Sequence, residues 1–384
     1  MWEVFVVDNA SDDGSAEAIT REFRDTTVIR LPENHGVPAR NHAIGPAKGK
    51  FIVFLDDDSY PLGDAIPRSL AYLGRNPKTA ALVARVILPD GTAEAPALPA
   101  ITIGGASIVR RSVLQQVGGF APEFFRQAEE YDLSFRIWAA GYRIERFEEI
   151  RFGHDKVPGG RCSALTRRMD LRNNLILVER YLPRPMRRAY RHDWLRRYAA
   201  LGLHEGHQDA IGAAIREMRI WARREMSLGR QVLDAATLET VFQWNAQANA
   251  VAAWKTSHNL KRVAIADISK NVYCTWRACK QAGLTIASML ENGPAFAGTS
   301  YRGIPVLCDT KADPASFDGI VLSNINPAQV DRRLDDLTAR FKVPVLRLWS
   351  PTAWSEPDKR PARNDQAMAG VRGPLPPQDP PVAA

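Results

Sequence analysis

The first third of the chain alternates short apolar runs with stretches that carry apolar residues at helical spacing. Residues 4–7 (VFVV) and 51–55 (FIVFL) are compact, rich in β-branched and aromatic side chains, and each stops abruptly at acids, Asp8 and Asp56-Asp57-Asp58. Between them, residues 15–23 read as a helix introduced by Asp and Gly, which suit a turn and a cap. Strands alternating with helices predict a mostly parallel sheet covered on both faces. In such sheets ligands gather at the carboxyl ends of the strands, where these acids fall.

From about residue 156 to 255 the pattern becomes purely helical. RNNLILVERYL and DAIGAAIREMRIWARREM space their apolar residues for one helical face and set arginines on the other. A third unit begins near Leu260. KRVAIAD reads as a buried strand, NVYCTWRACKQAG as a helix closed by Gly283, and LTIASMLE as a second strand; FDGIVLSN, a helix through Ala339 and VPVLRLW continue the alternation. The expected division is 1–155 α/β, 156–255 basic helical extension, 256–349 small Rossmann-like α/β unit, and 350–384 a Pro-rich tail expected to be disordered.

Composition narrows the function classes. A formal net charge of +8 favours anionic partners, namely nucleic acid, phosphorylated small molecules or an acidic membrane surface, without choosing among them. Most of the excess lies in the helical segment. Its expected use is as a solvated helical subdomain that helps form the site of the first unit; contact with anionic lipid ranks next, and nucleic acid last, since no recognised binding module accompanies the charge. The four cysteines, Cys162, Cys274, Cys279 and Cys308, form no CxxC pair, which argues against a zinc site or a disulfide framework and for a reducing, cytoplasmic setting. No uninterrupted apolar run approaches the roughly 20 residues that span a bilayer, so a soluble protein, or one peripheral at the inner face of a membrane, is expected.

The chemistry concentrates at Asp56-Asp57-Asp58. Adjacent carboxylates at a strand end repel one another and are tolerated best where water or a cation compensates. A hard divalent ion such as Mg²⁺ or Mn²⁺, bridging to a diphosphate, is the natural partner; a solvated acidic turn is the plain alternative.

Four blocks in order, VFVVDNASDDGS, NHGVPARNHAIGPAKGKFIVFLDDDSYP, GGASIVRRSVLQQVGGFAPEFF and AEEYDLSFRIWAAGYRI, together resemble family 2 glycosyltransferases over about 150 residues. The resemblance implies a GT-A-type doubly wound sheet and inverting transfer of a sugar from a nucleoside-diphosphate donor to a carbohydrate or lipid-linked acceptor. It also implies a role in making surface polysaccharide or glycolipid. Position by position, it puts Asp8 at the nucleotide base and Asp56 near ribose and metal. Asp58 falls on the metal, with Asp57 assisting or standing by. Arg40 falls near the base or phosphates, although pairing with the acidic cluster would equally explain it. Asn34 and Gly36 shape that loop, and Asn41 is either part of it or a turn residue. His154 matches a metal or diphosphate ligand, and Arg161 a flexible-loop cation for the diphosphate. The family's acidic motif usually reads Glu-Asp-x-Asp-Leu; here Glu129-Glu130-Tyr131-Asp132-Leu133 puts the base on Glu130, with Glu129 as second candidate. Asp132 completes the catalytic candidates, its other reading being a helix cap or a partner of Arg136.

Two departures accompany the resemblance. Family members normally open with a strand, turn and helix before the strand that here starts at Trp2, so an opening central strand is expected to be missing and activity impaired. The third unit resembles Rossmann-like domains on some sugar-modifying acyltransferases, yet its first turn, Ala266 to Asn271, holds no glycine, and Glu291 alone occupies the acidic place after the second strand. Without glycine, close approach of backbone to phosphate is disfavoured, and a docking role is expected. The rival readings are a non-catalytic binding or scaffold protein and, on the shared use of carboxylate-held metal, a nucleotidyltransferase.

Overall fold

The computed structural model describes residues 2–156, 163–225 and 230–351. The acidic strand ends lie in the first α/β layer. Its elements are β1 (Val4–Asp8), α1 (Ser15–Glu22), β2 (Thr26–Arg30), α2 (Asn41–Ile44), β3 (Phe51–Leu55), β4 (Ser59–Pro61) and α3 (Ala65–Arg75). They continue with β5 (Thr79–Ile87), β6 (Ala93–Glu94), β7 (Ala106–Arg110), α4 (Arg111–Val117), α5 (Glu129–Ala139) and β8 (Arg143–His154). β1 and β2 form a parallel pair of their own, and the main sheet runs β3-β7-β5-β8-β4, with β6 on β5.

This sheet is mixed, not mostly parallel. β7 runs against both β3 and β5, β4 against β8, and only β5 and β8 run together. The connection from β5 to β7 contains β6 and no helix. A parallel neighbour needs a crossover, usually helical, whereas an antiparallel one does not. Alternating apolar runs carry no information on that choice.

Among the described residues five helices follow: α6 (Ala164–Tyr181), α7 (Arg184–Glu205), α8 (Gln208–Glu225), α9 (Ala235–Phe242) and α10 (Trp244–His258). α6 is wrapped on nearly every side; Leu171, Leu175, Ile176, Leu177, Val178 and Tyr181 are all buried. The expected outer face of arginines is therefore only partly present. Arg180 is 6% exposed and pairs with Glu123 and Asp132, while Arg167 pairs with Glu205 and Arg172 with Glu217.

The last unit comprises β9 (Arg262–Ala266), α11 (Val272–Gln281), β10 (Thr285–Glu291), β11 (Ser300–Tyr301), β12 (Ile304–Cys308), β13 (Gly319–Leu322), α12 (Val330–Phe341) and β14 (Val345–Arg347). Its order, β11-β12-β10-β9-β13-β14, puts the first strand in the middle, and all pairings but β11–β12 are parallel. One hydrophobic core joins it to the helices and to the first layer, running from Leu98 and Tyr131 through Leu175 and Phe242 to Cys274 and Ile325. No helix among the described residues is long and apolar enough to cross a membrane. The expected disordered tail lies outside the described residues from 352 onward.

Candidate active site

The buried, β-forming run FIVFL makes β3, and its end delivers Asp56 to the sheet edge. Pairing of β4 with β8 sets Ser59 opposite His154, so residues nearly a hundred apart in sequence meet. Asp56, Asp58 and His154 each offer one ligand atom, all within 4.8 Å of one another. Ser59 braces the turn: its hydroxyl accepts from the Asp56 N–H at 2.7 Å and donates to the Gly105 carbonyl at 2.9 Å. Gly105 leaves room for the Asp56 carboxylate, which a Cβ there would strike. Asp57 points out to solvent.

His154 lies between two acids. Its Nε2 is 3.1 Å from Asp58 Oδ1 and its Nδ1 is 3.2 Å from Glu94 Oε2. A neutral imidazole has one donor nitrogen. If Nδ1–H donates to Glu94, the Nε2 lone pair faces the Asp58 oxygen, an arrangement that calls for a positive charge between them. Two carboxylates and one imidazole form an oxygen-rich donor set that fits Mn²⁺ or Mg²⁺, with Glu94 fixing the ring from behind. Lys156 caps the other Glu94 oxygen at 3.1 Å. Replacing Glu94 by Gln is expected to weaken Mn²⁺ binding about 10- to 100-fold, as read by calorimetric titration, with little change in fold.

On the neighbouring loop the predicted donor residues are mostly tied to protein. Asp8 is buried, accepting from the Ser11 N–H at 3.1 Å with Arg30 Nε at 3.7 Å. Asn34 accepts from the Gly36 N–H at 2.8 Å. Asn9, unforeseen from the sequence, donates to the Gly36 carbonyl at 3.0 Å and accepts from the His35 N–H at 2.7 Å. Gly36 has φ 66° and passes so close to the Phe125 carbonyl that no side chain fits. Asn41 clamps Phe120, donating to its carbonyl at 2.7 Å and accepting from its N–H at 2.8 Å. Arg40 donates to the Gly104 carbonyl at 3.0 Å and pairs with Asp56, the acid-cluster partner its plainer reading anticipated. Arg161 lies outside the described residues.

The acid pair opens α5. Gln127 (φ 69°) and Ala128 (φ 65°) both sit in the left-handed region that non-glycine residues avoid, so this entry is strained and must be held. The fully buried Asn173 of α6 holds it, donating to the carbonyls of Arg126 (2.8 Å) and Gln127 (2.7 Å). Glu129 is 8% exposed, and its Oε2 has no hydrogen-bond partner. Glu130 is half-buried. Burial, followed by the neighbouring carboxylate, holds Glu129 well above the ordinary carboxyl range. Burial also raises Glu130, against the opposing pull of Lys270. Each carboxyl bears on the ionisation of the other, so they titrate as a unit. Arg40 is bonded to Asp56, and its charge opposes, as a minor influence, the rise at Glu129.

Asp132 does not belong with them. It is 0% exposed, with Oδ2 taken by Arg136 (2.6 and 3.0 Å) and Oδ1 by Arg180 (3.0 Å) and the Tyr181 hydroxyl (2.6 Å). No oxygen is left to reach an acceptor. The Arg136 partnership was legible in the i, i+4 spacing; the α6 partners were not.

Residues 1–125 match the family model described as glycosyl transferase family 2. The chain is similar to the O-antigen biosynthesis protein RfbC of Myxococcus xanthus, at 23% identity over 199 residues, or 43% of this chain and 16% of that protein. It is also similar to TuaG of Bacillus subtilis (strain 168), named for teichuronic acid biosynthesis, at 34% identity over 76 residues, or 19% of this chain and 30% of that one. The chain thus spans less than a third of the length of these curated relatives. Among solved structures, GalNAc-T7 with UDP, GalNAc and Mn²⁺ aligns at a TM-score of 0.41 and 15% identity, over 55% of this chain and 49% of that one. The likeness to glycosyl transferase family 2 is thus carried by the first 125 residues of this chain.

Proposed function

We propose that the chain is an inverting glycosyltransferase that moves a sugar from a nucleoside-diphosphate donor to an acceptor hydroxyl. The observation that carries this reading is the convergence of Asp56, Asp58 and His154 into one donor set within the part of the chain that matches the family model and its flanking strand. Asp56, Asp58 and His154 would hold Mn²⁺ or Mg²⁺, which supplies charge neutralisation for the leaving diphosphate. Glu130 takes the proton of the acceptor hydroxyl, whose oxygen bonds to the anomeric carbon as the bond from that carbon to the diphosphate oxygen breaks. Glu129, also raised by burial, is the second carboxyl of the pair and bears on the ionisation of Glu130. The names of the relatives, O-antigen and teichuronic acid biosynthesis, support an acceptor within a cell-surface polysaccharide. Contact with anionic lipid through exposed arginines of the helical segment, such as Arg216 and Arg219, would suit a lipid-linked acceptor.

Because the base acts ionised and burial raises its pKa, transfer is expected to climb with pH through an acid limb above the ordinary range of glutamate. Glu130→Gln is expected to cut kcat by about 100- to 10,000-fold while leaving donor affinity near wild type. A Glu130→Gln enzyme with undiminished turnover, or one that loses donor binding in step with rate, would overturn the assignment of the base.

A further inference from the structure

The start of α7 runs against the electrostatics of a helix end. Its first two turns carry Arg184, Arg187, Arg188 and Arg191 with no acid among them and no side-chain cap, although the dipole of a helix disfavours cations at its N-terminus. Residues three and four apart share one helix face, so these four form a ridge about 10 Å long. A fifth arginine arrives from a distance: the Leu233 N–H donates to the Tyr181 carbonyl at 3.0 Å, which lays the segment bearing Arg230 against the end of α6. One acid stands among the five. Glu179 of α6 has Arg187 Nε and Arg230 Nη2 each 3.4 Å from Oε2, and Arg191 Nη1 3.3 Å from Oε1. Those distances exceed the roughly 2.7–2.9 Å of a strong charge-assisted bond, and each guanidinium has further N–H donors to give. Among the described residues these three side chains make no other hydrogen bond, and Arg184 and Arg188, both exposed, make none. Burial and the charges of Arg230, Arg191 and Arg184 hold Arg187 below the ordinary guanidinium range in spite of Glu179.

What the ridge has and lacks points to its occupant. Contact with a bilayer pairs cations with apolar side chains that enter the lipid, as Arg216 and Arg219 beside the exposed Ile220 offer on α8. Between Arg184 and Arg196, α7 exposes no large apolar side chain. Single-stranded nucleic acid calls for aromatic platforms, and the aromatics here, Tyr190 and Trp194, are buried. What remains is a row of guanidinium forks, the geometry that matches carboxylate or phosphate, repeated over more length than one small anion spans. α6 ties this row to the first unit: its Asn173 holds the turn that precedes Glu129, and Glu179 lies six residues, about 9 Å, further along the helix axis. We propose that the ridge of Arg184, Arg187, Arg188, Arg191 and Arg230 holds the acceptor, and that the acceptor is an anionic polysaccharide whose charges recur along its length. This rests on the transfer reading for the reaction; the binding of the polyanion stands apart from it.

The test measures binding of the full chain to fluorescent polygalacturonate fragments, to neutral dextran fragments of the same length and to phosphatidylglycerol vesicles. Chelator is present throughout, so the Asp56–Asp58–His154 set takes no part. Polygalacturonate is expected to bind and dextran not. Arg184→Gln with Arg188→Gln, two exposed side chains whose loss leaves the fold intact, is expected to weaken polygalacturonate binding roughly tenfold or more. Glu179→Gln should bind it about two- to fivefold more tightly, because a competing carboxylate is gone. A cluster that only fastens α6 to α7 would instead lose stability in Glu179→Gln and gain no affinity, which overturns the proposal. Equal binding of polygalacturonate and dextran, or undiminished binding by the Arg184 and Arg188 variant, overturns it as well. So does binding to the vesicles through these arginines without binding to polygalacturonate. A chain that holds the polyuronate through the ridge and never uses a donor would sink the transfer reading and leave the surface established; one that transfers to a neutral acceptor while polygalacturonate stays unbound would do the reverse.

Discussion

Asp58→Asn is expected to abolish the thermal stabilisation that a nucleoside diphosphate with Mn²⁺ confers, and to cut transfer by about 100- to 1000-fold or more. Asp58 contributes one of the three ligand atoms that converge at the ends of β3 and β8, and it faces His154 Nε2 at 3.1 Å. The amide keeps the shape and removes the charge. Without ligand the variant should be as stable as the wild type, since it relieves repulsion between Asp56 and Asp58. With ligand the two proteins should part: at 100-fold excess over Kd a bound ligand adds about 2.7 kcal/mol of stability, and the variant should forgo it. The measurement is a thermal-shift panel of UDP, GDP and dTDP with Mn²⁺, Mg²⁺ or chelator. A diphosphate-dependent shift that survives in Asp58→Asn, or that needs no divalent ion in the wild type, would remove the metal from the proposed chemistry. Donor hydrolysis lost in this variant would also exclude the scaffold reading, which has no use for a carboxylate at that place.

Much of this was legible because it is local. An apolar β-forming run that ends in three acids announces both a strand and its charged tip, and β3 with Asp56 and Asp58 lies where that pattern puts them. α1, β9, α11 and β10 follow from periodicity in the same way. What escaped is what arrives from a distance. Glu94 sits on a strand of two residues, too short to carry a pattern, and reaches His154 across 60 positions. Asn173 looks like a polar interruption in an apolar helix until the strained turn at Gln127 and Ala128 is seen to need its amide. The direction of β7 depends on whether the chain crosses over or folds back, and its buried ASIVR run is compatible with both. Arginines spaced along α6 suggested a solvated stripe; Arg180 instead turns inward, since Asp132 and Glu123 give it partners that the local sequence does not contain.

That inward network makes Asp132 the position where a single atom change should do most damage to the fold. Its carboxylate takes four hydrogen bonds, from Arg136 twice, Arg180 and Tyr181, and it joins α5 to α6 with no exposure to water. The neighbouring Glu123 also pairs with Arg180, so two guanidiniums share two carboxylates. Asp132→Asn leaves two guanidiniums facing one acid around a position that is itself 0% exposed. Removing one partner of such a buried set costs about 3–5 kcal/mol, more than the pair gains over a nonpolar replacement. The expected result is a denaturation midpoint well below that of the wild type. Asp132→Asn with Arg136→Met should be less damaged than the two single losses added together, because the second change removes one stranded charge. A catalytic Asp132 would behave in the opposite way, giving a protein of ordinary stability with no turnover. The two outcomes separate in one urea titration run beside one rate measurement. The same titration also bears on the acid pair, since Glu129 and Glu130 stand on the helix that Asp132 fastens, and any loosening of α5 from α6 should lower their raised pKa values by admitting water.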